Sequence, residues 1–236
     1  DYWYHSMKGL ASVANTSGKT RVGAEAFTGS RGWVDHPYLI KGMGDEAFSQ
    51  GINHYIYHLS AHQAYENMKP GLTHRRWGQH INRNQTWWDM SKPYFDYVAR
   101  CQALLQKGKR VVDVACLYTE GAPLNFNNIN FSLPFGYDYD FCTFDIIERM
   151  TVKDGIIYLP NGVSYNYLVL PNSNRLTLPL VQKAQELKKA GAKIFLQQGV
   201  VGTPGLEGYP KADQQVKTIT ENWEIDRKST RLNSSH

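Results

Sequence analysis

Cysteine is scarce: Cys101, Cys116 and Cys142 are widely spaced, show no paired metal spacing, and read as buried thiols. No apolar run approaches the ~20 residues needed to span a bilayer. No basic stripe with interleaved aromatics speaks for nucleic acid. Arg75-Arg76 is a lone pair, and the last eleven residues supply +2 of the net charge of +5. The chain opens with neither an initiator Met nor a signal-like segment, so its true start is expected to be missing. There is no internal repeat. The glycine run Gly199-Val200-Val201-Gly202-Thr203-Pro204-Gly205 carries a proline where the helix of a phosphate cradle would begin, so no nucleotide cofactor is expected.

What the sequence does have is a core and an abundance of rings. Hydrophobic residues make up 42% of the 236 positions, enough for one large domain or parts of two. Of the six Trp and fifteen Tyr, five and eleven lie in the first 140 positions, beside Asn, His and Gln. Flat rings mixed with amides suit a sugar, which offers an apolar face to stack and hydroxyls to hydrogen-bond, although most single rings will be core packing.

The chain reads outward from Arg21-Val22-Gly23-Ala24-Glu25-Ala26-Phe27-Thr28, a short alternating run between glycine-containing turns. It predicts a buried strand with a carboxylate near its C-terminal end. In an α/β barrel the chemistry sits at that end, so Glu25 is a catalytic candidate; the competing reading is a capped or salt-bridged carboxylate. A helix over residues 2–15 precedes it, with Trp3, Met7, Leu10, Val13 and Ala14 at helical spacing. Pro37 suits the first turn of a second helix, which runs to a stop at Gly51. The next strand, residues 52–58, delivers His58 and, just beyond, His62 and Gln63. An irregular stretch over 64–86 carries Asn82 and Arg83 and leads to Trp87 and a helix over 87–107. A third strand, 110–118, ends at Glu120. Together these predict a parallel α/β pattern that fits the last part of a barrel. Beyond residue 134 the spacing predicts a helix through Phe144 and Ile147, two short strands (155–159 and 165–170) around an Asn161-Gly162 turn, a helix over 178–190 and a strand at 192–196. That rhythm matches the start of a flavodoxin-like layer, with a boundary near residue 125. Residues 226–236 resemble the translation of a widely used DNA-sequencing adapter and are set apart as a non-native tail.

Ala24-Glu25-Ala26-Phe27-Thr28, His58-Leu59-Ser60-Ala61-His62-Gln63, Pro70-Gly71, Asn82-Arg83-Asn84-Gln85-Thr86-Trp87-Trp88, Leu133-Pro134 and Gly136-Tyr137-Asp138-Tyr139-Asp140 occur in that order. Together they resemble the glycoside hydrolase family 106 α-L-rhamnosidases over nearly all of residues 1–225. The resemblance implies a (β/α)8 barrel (1–125 being its C-terminal part) followed by a truncated flavodoxin-like domain (126–225). It also implies hydrolysis of α-L-rhamnosides with inversion, a plant polysaccharide or glycoside as substrate, a calcium ion at the sugar site, and a periplasmic or secreted address. Inversion needs two carboxyl groups ~6.5 to 9.5 Å apart. By resemblance Glu25 is one of them, read as general base with general acid still open; its partner would lie upstream of residue 1. Glu120 is the alternative partner within this chain, with a structural role or a contact to sugar hydroxyls as the favoured readings. His58, His62, Gln63, Asn82, Arg83 and Trp87 are the candidate substrate contacts, with a structural barrel-mouth role as the rival for each His. The His58/His62 spacing is weak as a metal signal, and calcium would want oxygen ligands. Other functions stay in play: another barrel glycosidase such as a β-galactosidase, or a catalytically silent carbohydrate-binding barrel. The fragment alone is expected to be inactive, with open sheet edges.

Overall fold

The computed structural model describes residues 2–29, 31–121, 133, 135–223 and 225, without the side chains of residues 2–6. The expected boundary near residue 125 and the tail at 226–236 lie outside them. The chain divides into two compact units: Thr20–Lys109, and Asp1–Lys19 together with Arg110–His236. Helix α1 (Tyr2–Thr16) therefore belongs with the C-terminal part. Both units mix helices with sheets, parallel in the first and parallel plus antiparallel in the second.

The smaller unit runs β1 (Gly23–Ala26), α2 (Pro37–Ser49), β2 (His54–Tyr57), a 3-10 turn at Trp88–Met90, and α3 (Lys92–Leu105). β1 and β2 pair in parallel, with Glu25 opposite Ile56 and Ala26 opposite Tyr57. The two-residue period of a strand then sorts the faces: Ala26 and Tyr55 are buried, Glu25 and Ile56 exposed. Tyr55 stacks on Phe48 of α2 at 4.6 Å and donates its hydroxyl to the Gly44 carbonyl. A Cβ on Gly44 would come within 3.3 Å of that oxygen, so the helix approaches the strand through its glycine. The free edge of β2 is covered by amides of α3. Gln102 Oε1 accepts from Tyr55 N at 2.6 Å, and Gln106 Nε2 donates to the Asn53 carbonyl at 2.7 Å. α3 begins at Lys92 and not at residue 87 as expected, because Pro93 belongs in a first turn and would break a helix already under way.

The larger unit adds β3 (Val114–Leu117), β4 (Tyr139–Cys142), α4 (Phe144–Glu148), β5 (Thr151–Lys153), β6 (Ile156–Tyr158), β7 (Ser164–Tyr165), β8 (Tyr167–Val169), α5 (Leu178–Lys189), β9 (Lys193–Phe195) and α6 (Lys211–Thr220). Four strands form a parallel sheet in the order β4-β3-β8-β9, and β5-β6-β7 form an antiparallel one. All four residues of β3 are buried, as in a strand covered on both faces. The core around it includes Leu117, Ile147, Met150, Ile157, Leu168 and Leu180. One grouping made from the sequence is corrected here: the strand of residues 110–118 pairs with β4 and β8, not with the strands of Glu25 and His58. β4, β5 and α6 are additions that the sequence reading lacks, and the strand expected over 165–170 divides into β7 and β8. β5 turns into β6 through Asp154 and Gly155, both at positive φ (53° and 78°), the backbone a tight hairpin requires. The three cysteines are free, and burial pushes the Cys116 thiol up to about 12.

α1 faces β4 with its polar side. Lys8, Ser12, Asn15 and Thr16 are buried, whereas Leu10 and Val13, expected in the apolar stripe, are exposed by 52% and 59%. The reason is the wall opposite, which carries Asp138 and Asp140. Lys8 pairs with Asp138, and Asn15 Nδ2 donates to Asp140 Oδ2 at 2.5 Å. Arg110 reaches both carboxylates, at 2.6 and 3.3 Å, and the Tyr165 hydroxyl donates to Asp140 at 3.1 Å. Burial lifts Asp140 above the ordinary carboxylate value, against the pull of Arg110, Asn15 and Tyr165. Burial also works on Asp138, but Lys8 and Arg110 outweigh it and hold that carboxyl below its ordinary value. Burial lowers Lys8, and Asp138 opposes it.

Candidate active site

The alternation that buries Ala26 puts Glu25 on the open face of the β1-β2 pair, one residue before that strand ends. What ends it is Phe27, whose φ of 62° lies in the left-handed region. Its ring packs on Tyr55 and Tyr57, at centroid distances of 5.7 and 5.5 Å. The chain doubles back, and the Thr28 hydroxyl donates to Glu25 Oε1 at 2.6 Å. Two backbone bonds pin the turn: His58 N donates to the Ala26 carbonyl at 3.3 Å, and Gly78 N to the Gly29 carbonyl at 2.7 Å.

His58, just past β2, also accepts from Gln79 N at 2.8 Å through its carbonyl; its Nδ1 is buried and has no partner among the described residues. The Gln79 side chain is likewise buried with both amide atoms unpaired. Gly78 lies hard against His58: at a φ of 76°, a Cβ there would stand 2.3 Å from the His58 carbonyl oxygen. Gly78→Ala is therefore expected to cost at least ~2 kcal/mol, read as a lowered midpoint in denaturant unfolding of the chain; an unchanged midpoint would show that this loop simply gives way.

Several expected contacts turn out to hold the loops. Gln63 spends its amide on Leu72, donating to the carbonyl at 2.6 Å and accepting from the N–H at 3.1 Å. Asn82 is buried and caps a turn through Asn84 N at 2.9 Å, and Arg83 donates to the Tyr65 carbonyl at 3.2 Å. His62 is exposed. Trp87 donates its indole N–H to the Asp35 carbonyl at 3.2 Å, which fixes one wall of an open cleft of about 350 Å³. Trp33, Tyr38 and Met90 line the same cleft. Gln85 and His80 tie its rim by donating to the Gly32 carbonyl, at 3.1 and 3.3 Å, and Trp33 lies edge-on to His80 at 4.6 Å. Burial holds the His80 imidazole below its ordinary value.

Glu120 belongs to the larger unit, and both of its oxygens are engaged there. It accepts from Thr177 N at 2.9 Å and from the Thr177 hydroxyl, at the N-cap of α5, where a negative charge also meets the positive end of the helix dipole. That is a structural assignment. Glu120→Ala is expected to destabilise by about 1–2 kcal/mol, measured as a shift of the urea midpoint at constant m-value; no shift would mean that the cap is idle. The glycine run at 199–205 is likewise occupied from within. Thr203 N and its hydroxyl both donate to Asp213 Oδ1, at 2.9 and 2.7 Å, so an acid of α6 stands where a phosphate would have to bind.

Among the described residues no three His, Cys, Asp or Glu side chains converge on a point that could hold an ion. Calcium takes six to eight oxygens. Among the described residues, His, Cys, Asp and Glu assemble no such set beside Glu25. No described helix is long and apolar enough to cross a membrane.

Thr28, Gln79 and the rim of the aromatic cleft were not found as site residues in the sequence. A hydroxyl three residues after a carboxylate carries no periodic signal, and Gln79 is placed by backbone pairing with a distant strand end. Trp33 could have been found by the same preference for rings beside amides that singled out Trp87.

A strand-end carboxylate that receives a hydroxyl, and within the same unit a cleft walled with aromatic rings, suit chemistry on a sugar. The particular family follows from comparison: the sequence model of glycoside hydrolase family 106, described as alpha-L-rhamnosidase, matches residues 2–235, and the chain belongs to that family. The match takes in positions 226–235, within the segment set apart as a tail. The chain resembles the rhamnosidase from Novosphingobium sp. PP1Y with a TM-score of 0.84 and 31% identity, covering 93% of this chain and 22% of that one. A curated protein of Formosa agariphila, whose name assigns it provisionally to the beta-glucuronidases, is 37% identical over 223 residues, covering 93% of this chain and 19% of the relative. The chain thus spans about a fifth of the length of these relatives.

Proposed function

We propose that this chain carries one of the two catalytic carboxyl groups of an inverting α-L-rhamnosidase that removes terminal rhamnosyl residues from plant polysaccharides or glycosides. The observation that carries the proposal is the Glu25 carboxylate at the end of β1, on an open face, receiving the Thr28 hydroxyl at 2.6 Å. Glu25 acts as general base: it takes a proton from a water whose oxygen bonds to the anomeric carbon, while a second carboxyl group protonates the departing glycosidic oxygen as that bond breaks. The second group is assigned to the part of the relatives' length that this chain does not span, so the chain alone is proposed to be without turnover.

The β1-α2-β2-α3 order, with its parallel pair, supports the reading of the smaller unit as the C-terminal part of a (β/α)8 barrel. The sheet order β4-β3-β8-β9 supports a flavodoxin-like layer in the larger one. Trp87, with Trp33 and Tyr38, offers ring faces for stacking a sugar or its aglycone.

The test is a protein extended to the relatives' length, given an aryl α-L-rhamnoside and, separately, an aryl β-D-glucuronide, with NMR of the sugar first released. Rhamnose appearing as the β-anomer is expected. The α-anomer first would sink inversion. Release of glucuronic acid alone would favour the second reading, suggested by the Formosa relative's name.

A further inference from the structure

We infer that Thr28 is a positioning residue for Glu25, and that the left-handed turn at Phe27 is the device that brings it there; this rests on the reading of Glu25 as a catalytic carboxylate. In an unbroken strand, residue 27 would share the exposed face of Glu25, and residue 28 would face the opposite way and lie further along the strand. The φ of 62° at Phe27 changes both placements. The ring is delivered to Tyr55 and Tyr57 on the packed side, which clears the face around the carboxylate, and the chain folds back so that the Thr28 hydroxyl meets Oε1. A phenylalanine is rarely found in this region, and such outliers persist only where their surroundings determine them. The surroundings here do so from three sides. The Ala26 carbonyl is held by His58 N and the Gly29 carbonyl by Gly78 N; between them, the Phe27 ring rests on two tyrosines. Thr28 is therefore not a surface hydroxyl that happens to lie near an acid. Its bond to Oε1 fixes the rotation of the carboxyl group, leaving Oε2 to meet water.

The test uses Thr28→Val, which keeps the shape without the hydroxyl, and Thr28→Ser, which keeps the hydroxyl. In this chain, the carbon-13 NMR shift of the Glu25 carboxyl at a fixed neutral pH needs no activity. It should move in Thr28→Val and return toward the wild-type position in Thr28→Ser. In the extended protein, Thr28→Val should lower kcat on an aryl α-L-rhamnoside roughly tenfold and leave KM within about twofold; Ser should restore most of the rate. An unmoved carboxyl shift in Thr28→Val overturns the inference, as does an unchanged kcat in an enzyme whose rate depends on Glu25. If the wild type cleaves no rhamnoside, the functional reading fails, and the carboxyl shift still decides whether Thr28 holds the carboxylate.

Discussion

Glu25→Gln in the extended protein is expected to lower kcat on an aryl α-L-rhamnoside by at least ~10²-fold, with KM much less affected. The amide is isosteric and can still meet the Thr28 hydroxyl, so the turn at Phe27 and the pairing of β1 with β2 should survive. What it cannot do is accept a proton from water. An inverting hydrolase has no covalent intermediate to fall back on, so the loss falls on the single chemical step. A small nucleophilic anion such as azide needs no base, and should restore part of the rate to Glu25→Gln if the lost role is that of base. Full activity in Glu25→Gln would remove the residue on which the functional reading rests. A loss shared with substrates bearing a highly activated leaving group points to the base; a loss that such substrates repair points to the acid.

Asp140→Ala is expected to destabilise the larger unit by about 3 kcal/mol or more, measured by denaturant unfolding. Asp140 is completely buried and gathers Arg110, Asn15 and Tyr165. Its removal leaves a mostly buried guanidinium half-paired and two donors without an acceptor, which costs more than the pair itself contributes. The acid side of the stability curve should change as well. Asp138, held below its ordinary value near 3.8, contributes stability above that pH and loses it as pH falls through its lowered folded value. Asp140, raised by burial, does the reverse: its contribution is present below 3.8 and is lost as pH rises through its raised folded value. In the wild type the gain from Asp140 therefore comes as pH falls from its raised folded value to about 3.8, and the loss from Asp138 comes below that. Without Asp140 the gain above pH 3.8 should disappear while the loss below it stays, and an unchanged profile above 3.8 would mean that the Asp140 proton plays no part.

The sequence shows most where local rules and the structure agree. Alternation around Ala24 and Ala26 locates β1, Pro37 starts α2, and Thr177-Leu178-Pro179 opens α5. It shows least where an element is defined by what lies across from it. β3 reads as an apolar strand following a helix, and nothing in Val114–Leu117 says that its neighbours are β4 and β8 rather than β2. β5 is three residues long, too short for a period to register. The candidate site divides in the same way. Glu25 is legible as an acid closing a strand of small residues. That Gln63, Asn82 and Glu120 are engaged with Leu72, Asn84 and Thr177 is not, because a side-chain amide or carboxylate has the same appearance in a sequence whether it meets a ligand or its own backbone.

α1 also bears on how this protein tolerates change. Its helical wheel carries an apolar stripe through Leu10 and Val13, and such stripes are ordinarily the part of a helix that mutation must spare. Here that side faces outward, while Lys8, Ser12, Asn15 and Thr16 form the buried contact with the Asp138 and Asp140 wall. Selection for a stable fold then weighs the two faces in reverse, leaving the leucine and the valine free to drift and holding the lysine, the serine and the asparagine in place. A hydrophobicity profile of these fifteen positions taken by itself would rank the leucine and the valine above the lysine, the serine and the asparagine.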